Sequence, residues 1–426
     1  MLKHLHLKNV GPAPHMNLNF GQRLNLITGD NGLGKSFLLD IAWWAMTRKW
    51  PAEINQRLTS GKTALPGKGG DAEMGFSFTG KSRTEDYVST YLPRDGAWTG
   101  RPGRPANPGL VFYAMADGSF AVWDPSRNYW RTQEGVDVQD RIPAYVFSPS
   151  DVWDGLMGKD GKPLCLGLVM DWAGWQKEKS KAFRSLQEVL KAMSPSSKES
   201  MSVGNLTRIS LDDARDIPTI RMPYGQDVAV LHASAGMRRI LALVYLLVWS
   251  WEEHCKAASL LGEKPTDQVV FLIDEVESHL HPQWQRQIIP ALLAVAQTLI
   301  KNADVQVITA THSPLVMASV EPIFDSTKDK WFDLDLERKK VVLREREFEK
   351  HGNAGSWLLS DAFDMKSGRA LEYEELIKRA SALLEKNEPD VQSIQKMNAQ
   401  LVEALSPTDD FLFNWRYICK TKGWLS

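Results

Sequence analysis

The feature that most constrains the fold is a glycine-rich segment near the amino terminus, from Gly29 to Ser36, which reads GDNGLGKS. It fills the pattern G-x-x-x-x-G-K-[ST], in which backbone N–H groups and a helix amino terminus surround phosphate oxygens. The apolar stretch LNLITG comes before it and the stretch SFLLDIAWWAMTR, with helical spacing, follows it. The order strand, loop, helix therefore predicts a phosphate-binding loop (P-loop) in an α/β domain.

Two side chains of this segment carry the predicted chemistry. We expect Lys35 to reach the β- and γ-phosphates of ATP, and Ser36 to bind Mg²⁺ through its hydroxyl group. The other residues predicted to contact the nucleotide are Asp30, Asn31, Gly32, Gly34 and Phe37. The predicted cofactors are ATP and Mg²⁺.

A second apolar strand, VVFLI at 269–273, leads into the two acidic residues Asp274 and Glu275. The carboxyl ends of parallel strands line the crevice where an open α/β sheet binds its ligand. We therefore expect Asp274 to hold Mg²⁺, directly or through water, next to the P-loop. Glu275 is the predicted general base that polarises the attacking water.

A histidine follows the next predicted strand along the chain. The strand VQVITA leads to Thr311, His312, Ser313 and Pro314, and the proline ends the strand. A neutral imidazole at this place can point at the γ-phosphate. His312 is therefore a candidate catalytic residue beside Lys35 and Glu275.

The segments DEVESHLHP and THSP resemble a known family. They are similar to the ABC-type ATPases grouped with SMC proteins, OLD-family nucleases and the PtuA-like ATPase subunits of bacterial anti-phage defence systems. The resemblance covers about 1–60 and 200–345. It implies a P-loop fold with a mostly parallel core sheet, hydrolysis of ATP, and a homodimer or higher even oligomer.

The resemblance also implies a signature motif, in which a serine and a glycine at a helix start cap the γ-phosphate of ATP held by the opposite subunit. The candidate is LHASAGMR at 231–238, where Ser234 and Gly236 match the serine and the glycine. Met237 stands where the family usually has Gln or Glu. The alternative is an ordinary helix capped by serine.

Four further polar residues are candidates for contacts around the nucleotide. Arg238 and Arg239 could approach phosphate from the partner subunit or form a charged helix face. The family's Q-loop glutamine is not obvious. Gln139 and Gln22 are the candidates for it.

We divide the chain into four segments. An ATPase lobe with the P-loop covers 1–60, and a β-rich insertion with a helical part covers 61–200. A second ATPase lobe, with the signature, the acidic pair and the histidine, covers 201–345, and a helical accessory region covers 346–426. Within the insertion, two alternating arms around Asp117 predict a β-hairpin. This hairpin and the tail DFLFNWRYICKTKGW are rich in aromatic residues, which are typical of protein interfaces.

Composition excludes several classes of protein. Lys and Arg number 51 against 52 Asp and Glu, so any nucleic-acid surface must be local. The 3 cysteines have no zinc-binding spacing and indicate a reducing cytoplasm. The longest apolar run, ILALVYLLVW, is shorter than a membrane span, so no membrane partner is expected.

Three functional classes remain: a DNA-organising motor of the SMC type, an OLD nuclease, and an ATPase switch that controls a separate effector, with transport as a further alternative. The stretch between Ser36 and Ser234 lacks the heptads of a long-armed SMC motor. OLD nucleases carry a Toprim domain with an Asp-x-Asp pair, which Asp333 and Asp335 could supply. The other residues of the Toprim motif are missing from the sequence, so we predict that the segment around this pair is a terminal hairpin. Transport is disfavoured because no membrane span is predicted. The remaining hypothesis is an ATP-driven switch that controls a separate effector protein, such as a nuclease or toxin.

Overall fold

The computed structural model describes residues 1–425, with the backbone alone at 130–133 and 136–137, and with the exception of 69, 81–82, 101–103, 129, 134–135, 140–142, 159, 197, 301–302, 364, 366 and 386–388. The strands are β1 (Leu2–Lys8), β2 (His15–Asn19), β3 (Leu24–Gly29), β4 (Glu73–Thr79), β5 (Thr84–Leu92), β6 (Ala97–Trp98), β7 (Leu110–Ala114), β8 (Phe120–Trp123), β9 (Trp130–Gln133), β10 (Val136–Gln139), β11 (Ala144–Phe147), β12 (Leu156–Met157), β13 (Pro163–Cys165), β14 (Ser202–Val203), β15 (Thr219–Arg221), β16 (Asp227–Ala229), β17 (Gln268–Ile273), β18 (Asp304–Ala310), β19 (Lys330–Glu337) and β20 (Lys340–Arg346). The helices are α1 (Lys35–Thr47), α2 (Pro51–Ile54), α3 (Pro149–Asp154), α4 (Gly167–Glu178), α5 (Lys181–Ala192), α6 (Ala235–Leu260), α7 (Pro282–Gln285), α8 (Ile288–Leu299), α9 (Pro314–Val320), α10 (Ala354–Leu358), α11 (Leu371–Leu384), α12 (Val391–Ala404) and α13 (Asp410–Thr421).

The chain divides into two compact units, Met1–Trp357 and Leu358–Ser426. The first unit contains a mixed sheet with the strand order β11-β8-β7-β17-β18-β3-β19-β20. Its middle strands run parallel, whereas β8, β11 and β20 join antiparallel at the two edges. The predicted α/β fold with a mostly parallel core sheet is confirmed.

The middle strands read as continuous apolar runs because both of their faces are covered. Every residue of β17 is buried, as are the first five of β3. Since β7, β17, β18 and β3 are parallel neighbours, their carboxyl ends meet at one edge of the sheet. This edge places the loops that follow the four strands next to one another.

A second sheet of the same unit is antiparallel, with the order β2-β1-β4-β5-β6. Helix α1 contributes Trp43 and Leu39 to a hydrophobic core that includes residues of both sheets, such as Phe76 and Leu272. The 61–200 segment supplies β4 and β5 to this second sheet and β7, β8 and β11 to the mixed sheet. It therefore helps to build the core of the unit.

The predicted hairpin is present, because β7 and β8 pair antiparallel around a turn closed by a hydrogen bond from Met115 N to Ser119 O of 3.0 Å. The aromatic residues of β7 and β8 are buried, so they do not form the predicted interface; Tyr113 and Trp123, for example, are each only 1% exposed. The side chain of Trp130 lies outside the described residues.

Two helical stretches of the first unit consist of two consecutive helices each. Helix α4 ends and α5 begins at 179–181, because Lys179 adopts a left-handed conformation (φ 50°) and Ser180 caps the new helix by accepting from Phe183 N. Helix α7 is followed directly by α8. Among the residues that the structure describes, no helix is both long and apolar enough to span a bilayer.

The second unit contains α11, α12 and α13 packed around a small apolar core. Asp390 and Asp409 cap the starts of α12 and α13 by accepting hydrogen bonds from backbone N–H groups. On α13, Trp415 is 1% exposed, whereas Phe413 and Tyr417 are 70% and 66% exposed. The aromatic tail predicted from the sequence therefore has a buried face and an exposed one.

Candidate nucleotide-binding site

The P-loop connects β3 to α1 in a backbone conformation that requires glycine. Gly29 and Gly34 have φ angles of 129° and 102°, which L side chains rarely adopt. A Cβ atom at Gly29 would lie 2.2 Å from Leu334 O, and one at Gly34 would lie 2.8 Å from a side-chain carbon of Pro12. Both positions therefore need glycine for sterics as well as for φ.

Lys35 is held inside this loop. Its ammonium group donates to Gly29 O at 2.8 Å and to Asp30 O at 2.7 Å, and the residue is 5% exposed. Burial lowers the pKa of Lys35. Among the described residues no carboxylate lies within salt-bridge distance of it, so the group is suited to an anionic ligand.

Asp274 follows β17 directly and is 3% exposed. Burial raises its pKa, and a hydrogen bond from the Ser36 side chain acts in the opposite direction. Its second oxygen, Oδ1, is buried without a hydrogen-bond partner in the described part of the chain. A divalent cation would satisfy this oxygen.

The donor set fits Mg²⁺ only together with a nucleotide. In the described ranges, no group of three or more His, Cys, Asp or Glu residues could hold a metal ion alone. Mg²⁺ commonly takes one or two carboxylates and completes its shell with substrate phosphates and water. Ser36 and Asp274 match that requirement.

Glu275 lies in the turn after β17 and has a φ of 47°. Its carbonyl oxygen accepts from Ser278 N at 2.8 Å. The predicted base therefore starts a tight turn at the edge of the sheet, beside Asp274.

His312 follows β18, which lies between β17 and β3. The backbone N–H of Thr311 donates to Ile27 O of β3 at 3.0 Å. Burial lowers the pKa of His312, and the charge of Lys35 lowers it further, so its imidazole is neutral at neutral pH. The structure thus brings the P-loop, the acidic pair and His312 to one edge of the sheet.

Glu277 was missed by the sequence reasoning. Its carboxylate accepts from the hydroxyl of Thr311 at 2.8 Å and from the backbone N–H of His312. Burial raises the pKa of Glu277. The residue connects the turn after β17 to the loop that carries His312. The signal that the sequence offers is its place three residues after Asp274, within the segment DEVESHLHP.

Ser234 and Gly236 lie at the start of α6. Ser234 is exposed and caps the helix by accepting from Met237 N at 3.4 Å. A Cβ atom at Gly236 would lie 2.4 Å from His279 O, so the glycine permits close contact between α6 and the turn after β17. In the described part of the chain, no hydrogen bond joins α6 to the P-loop.

Arg238 and Arg239 point to different surroundings. Arg238 is exposed and borders a cavity of about 420 Å³ that Trp153 and His279 also line. Arg239 turns inward and donates to the carbonyl oxygens of Asp274 and Glu275. The expectation that both could face a partner's phosphate is therefore wrong for Arg239.

The two glutamine candidates differ in position. Gln22 precedes β3 and is exposed at the end of the strand opposite to the P-loop, so it cannot serve the site. Gln139 lies on β10 and donates to Asn128 Oδ1 at 2.9 Å. Its assignment stays a prediction.

The Asp-x-Asp pair lies on β19, in the predicted terminal hairpin with β20. Asp333 accepts from the hydroxyl of Thr28 at 2.8 Å and pairs with Arg346 at 3.2 Å. Asp335 lies 3.8 Å from Arg344. Both carboxylates are thus occupied by partners within the fold.

The family described as "AAA domain, putative AbiEii toxin, Type IV TA system" matches residues 24–318, more than half of the chain. The chain belongs to this family. It is an ATPase, and the matched range contains the P-loop, the acidic pair and His312. The predicted relation to ABC-type ATPases of defence systems is confirmed.

Relatives of this ATPase carry corresponding names. Septu protein PtuA of Bacillus thuringiensis is 23% identical over 320 residues, 74% of this chain and 72% of that protein. The Retron Ec83 probable ATPase of Escherichia coli is 25% identical over 202 residues, 46% of this chain but only 33% of the retron protein. Among solved structures, the SMC head domain from Thermotoga maritima gives a TM-score of 0.40 at 16% identity, covering 81% of this chain and 99% of that chain.

Proposed function

We propose that this ATPase is the switch subunit of a bacterial anti-phage defence system: it binds MgATP, pairs with a second copy around the nucleotide, and controls a separate effector such as a nuclease or toxin. The observation that carries the proposal is the placement of the motifs. The P-loop, Asp274, Glu275 and His312 share one edge of the sheet, whereas Ser234 lies exposed at a helix start and, among the described residues, has no hydrogen bond to that loop.

The residues at this edge have separate roles in the proposed reaction. Lys35 and the loop N–H groups bind the phosphates, and Ser36 and Asp274 would hold Mg²⁺, which supplies charge neutralisation when bound. Glu275 accepts a proton from the attacking water. His312, held by Glu277 through its backbone, offers a neutral imidazole to the γ-phosphate.

Pairing is supported by the surroundings of the signature residues. Ser234 is exposed, and the cavity beside it opens next to Arg238 and His279. An exposed helix start with free backbone N–H groups can cap a phosphate from another molecule. A second copy of the chain, carrying ATP on its own P-loop, has the matching group.

Control of a separate effector is supported by two features. The Asp-x-Asp pair of β19 is engaged by Thr28, Arg344 and Arg346, which leaves the described ATPase core without the metal-binding arrangement of a Toprim nuclease. In the second unit, Phe413 and Tyr417 lie one turn apart on the exposed face of α13. Exposed aromatic residues of this kind often anchor a protein partner.

The test of pairing uses a variant that binds ATP without turning it over. Glu275→Gln should shift to a dimer or higher even oligomer with MgATP, measured by light scattering, because ATP remains between the subunits. Ser234→Arg should prevent that shift. A wild-type chain that stays monomeric and hydrolyses ATP at an unchanged rate per molecule over a wide dilution series would contradict the proposal.

The test of effector control asks whether the purified chain cuts nucleic acid by itself. We expect no cleavage of DNA or RNA in the presence of Mg²⁺ or Mn²⁺. Metal-dependent cleavage that disappears when Asp333→Ala is combined with Asp335→Ala would revive the nuclease hypothesis instead.

A further inference from the structure

The backbone of Glu275 has an uncommon conformation. Its φ of 47° lies in the left-handed region, which residues other than glycine rarely adopt. Such conformations persist where surrounding contacts hold them, and they cluster at functional sites. The direction of the Glu275 side chain therefore depends on what fixes its backbone.

Arg239 supplies such contacts. Its Nη2 atom donates to the carbonyl oxygen of Asp274 at 3.0 Å and to that of Glu275 at 3.2 Å. These oxygens belong to the two peptide groups that flank the Cα atom of Glu275. Fixing both peptide groups fixes the φ and ψ angles between them, and with these the origin and direction of the side chain.

The rest of the guanidinium group is also bound by the backbone. Nη1 donates to Ala116 O at 3.1 Å, in the turn between β7 and β8. Arg239 has no carboxylate within salt-bridge distance in the part of the chain that the structure describes. A charged group without a carboxylate partner, bound to several main-chain oxygens of a catalytic turn, is suited to hold that turn in place.

Arg239 belongs to the helix that presents Ser234 and Gly236. Gly236 approaches His279 O, at the far side of the same turn. The start of α6 therefore touches this turn at two places, through Arg239 at Glu275 and through Gly236 at His279. A displacement of the helix start will move both contacts.

We propose that Arg239 is a positioning residue for hydrolysis: from α6 it holds Glu275 in its catalytic conformation, so that contact of the helix start with a second copy and alignment of the base are coupled. The coupling rests on the proposed pairing. The positioning of Glu275 does not, because every contact in it lies within one chain.

The test separates nucleotide binding from turnover in Arg239→Ala and Arg239→Lys. We expect the Kd for MgATP, measured with a fluorescent ATP analogue, to stay within about threefold, while kcat of Arg239→Ala falls about 100-fold, as expected when a reacting group is misplaced. Arg239→Lys should recover part of this loss, because an ammonium group can donate to some of the same oxygens. The control is Arg23→Lys, at the opposite end of β3, where Arg23 pairs with Asp329; its kcat should change less than twofold.

Wild-type kcat in a folded Arg239→Ala protein would overturn the inference, and so would a loss of nucleotide binding in place of turnover. If Arg239→Ala does not fold, Arg239→Lys decides by the same criteria, and wild-type kcat in Arg239→Lys then overturns the inference.

ATP-dependent pairing is then measured on the same variants. Pairing retained with kcat lost supports the inference, whereas loss of pairing assigns Arg239 to the subunit contact and overturns it. A wild-type protein that hydrolyses ATP without pairing removes the proposed function and the coupling, but leaves the positioning of Glu275 to be decided by the Kd and kcat values.

Discussion

The nucleotide edge of the sheet and the α11–α13 unit use charged residues in opposite ways. At the edge, Lys35 and Asp274 are buried and are held by backbone groups or by single polar contacts. In the second unit, the exposed Asp390 and the half-buried Asp409 cap helices, and the interior is apolar. Burying a charged group without enough polar partners costs free energy. These residues therefore lower the stability of the nucleotide edge, but their charged groups are available to a ligand.

The largest expected effect tests the edge. Replacing Glu275 by glutamine removes the proton acceptor but keeps size and backbone, so kcat should fall by about 10²- to 10⁴-fold while MgATP still binds. Single-turnover measurements with radiolabelled ATP check this result. Glu349→Gln, an exposed residue of the same unit, is the control and should behave as wild type. Unimpaired turnover in Glu275→Gln would show that the base lies elsewhere.

The next effect tests the second unit by comparing two aromatic residues of one helix. Trp415→Ala removes a buried side chain and should lower the free energy of unfolding of this unit by about 3–5 kcal/mol. Phe413→Ala, two residues away on the exposed face, should change it by less than about 0.5 kcal/mol. Hydrogen exchange of α12 and α13 in the full chain measures both. Equal losses would mean that Phe413 is packed in solution.

A smaller effect sharpens the assignment of Lys35. Lys35→Ala should raise the Kd for MgATP about 10- to 100-fold, because a buried charge-assisted contact to phosphate contributes about 1.5–3 kcal/mol. Titration with a fluorescent ATP analogue provides the value, and Lys62→Ala, in an exposed loop, is the matched control. Unchanged affinity in Lys35→Ala would place the phosphates outside the P-loop.

The smallest effect concerns stability and pH. Burial raises the pKa of Asp40 to about 7, and the hydroxyl of Tyr113 donates to its carboxyl group at 2.7 Å. Because the folded state binds this proton more tightly than the unfolded state, the free energy of unfolding should fall as pH rises from about 4 to about 7. Asp40→Asn keeps an oxygen for Tyr113 but does not titrate, so it should lose about 1–3 kcal/mol less over this range.

Urea denaturation at several pH values measures that difference, with the exposed Asp95→Asn as the control. Parallel pH profiles for the wild-type protein and Asp40→Asn would show that the pKa of Asp40 is the same in the folded and unfolded states.

The sequence predicted the parts of the site that lie in continuous segments. The P-loop, the acidic pair and His312 each follow an apolar strand, and this local pattern was enough to place them at one edge of a parallel sheet. The roles of these residues stay predictions. Their positions agree with the roles.

The sequence did not predict the contacts between distant segments. Arg239 reaches the carbonyl of Asp274, and Glu277 reaches the backbone of His312, across separations of 35 residues each. Such side-chain-to-backbone bonds leave no periodic signal. Strand β7 was assigned to an insertion for a related reason, since its parallel pairing with β17 joins residues that are far apart in the chain.

The position of β18 has a consequence for the order in which the protein opens. Its amide groups donate to both neighbouring strands, because it lies between β17 and β3. Local fluctuations that fray sheet margins and helix ends do not release such a strand. Its amide hydrogens should be among the last to exchange with heavy water. The central strand that supports His312 and the P-loop therefore persists in partly opened forms in which the edge strands of the sheet have already separated.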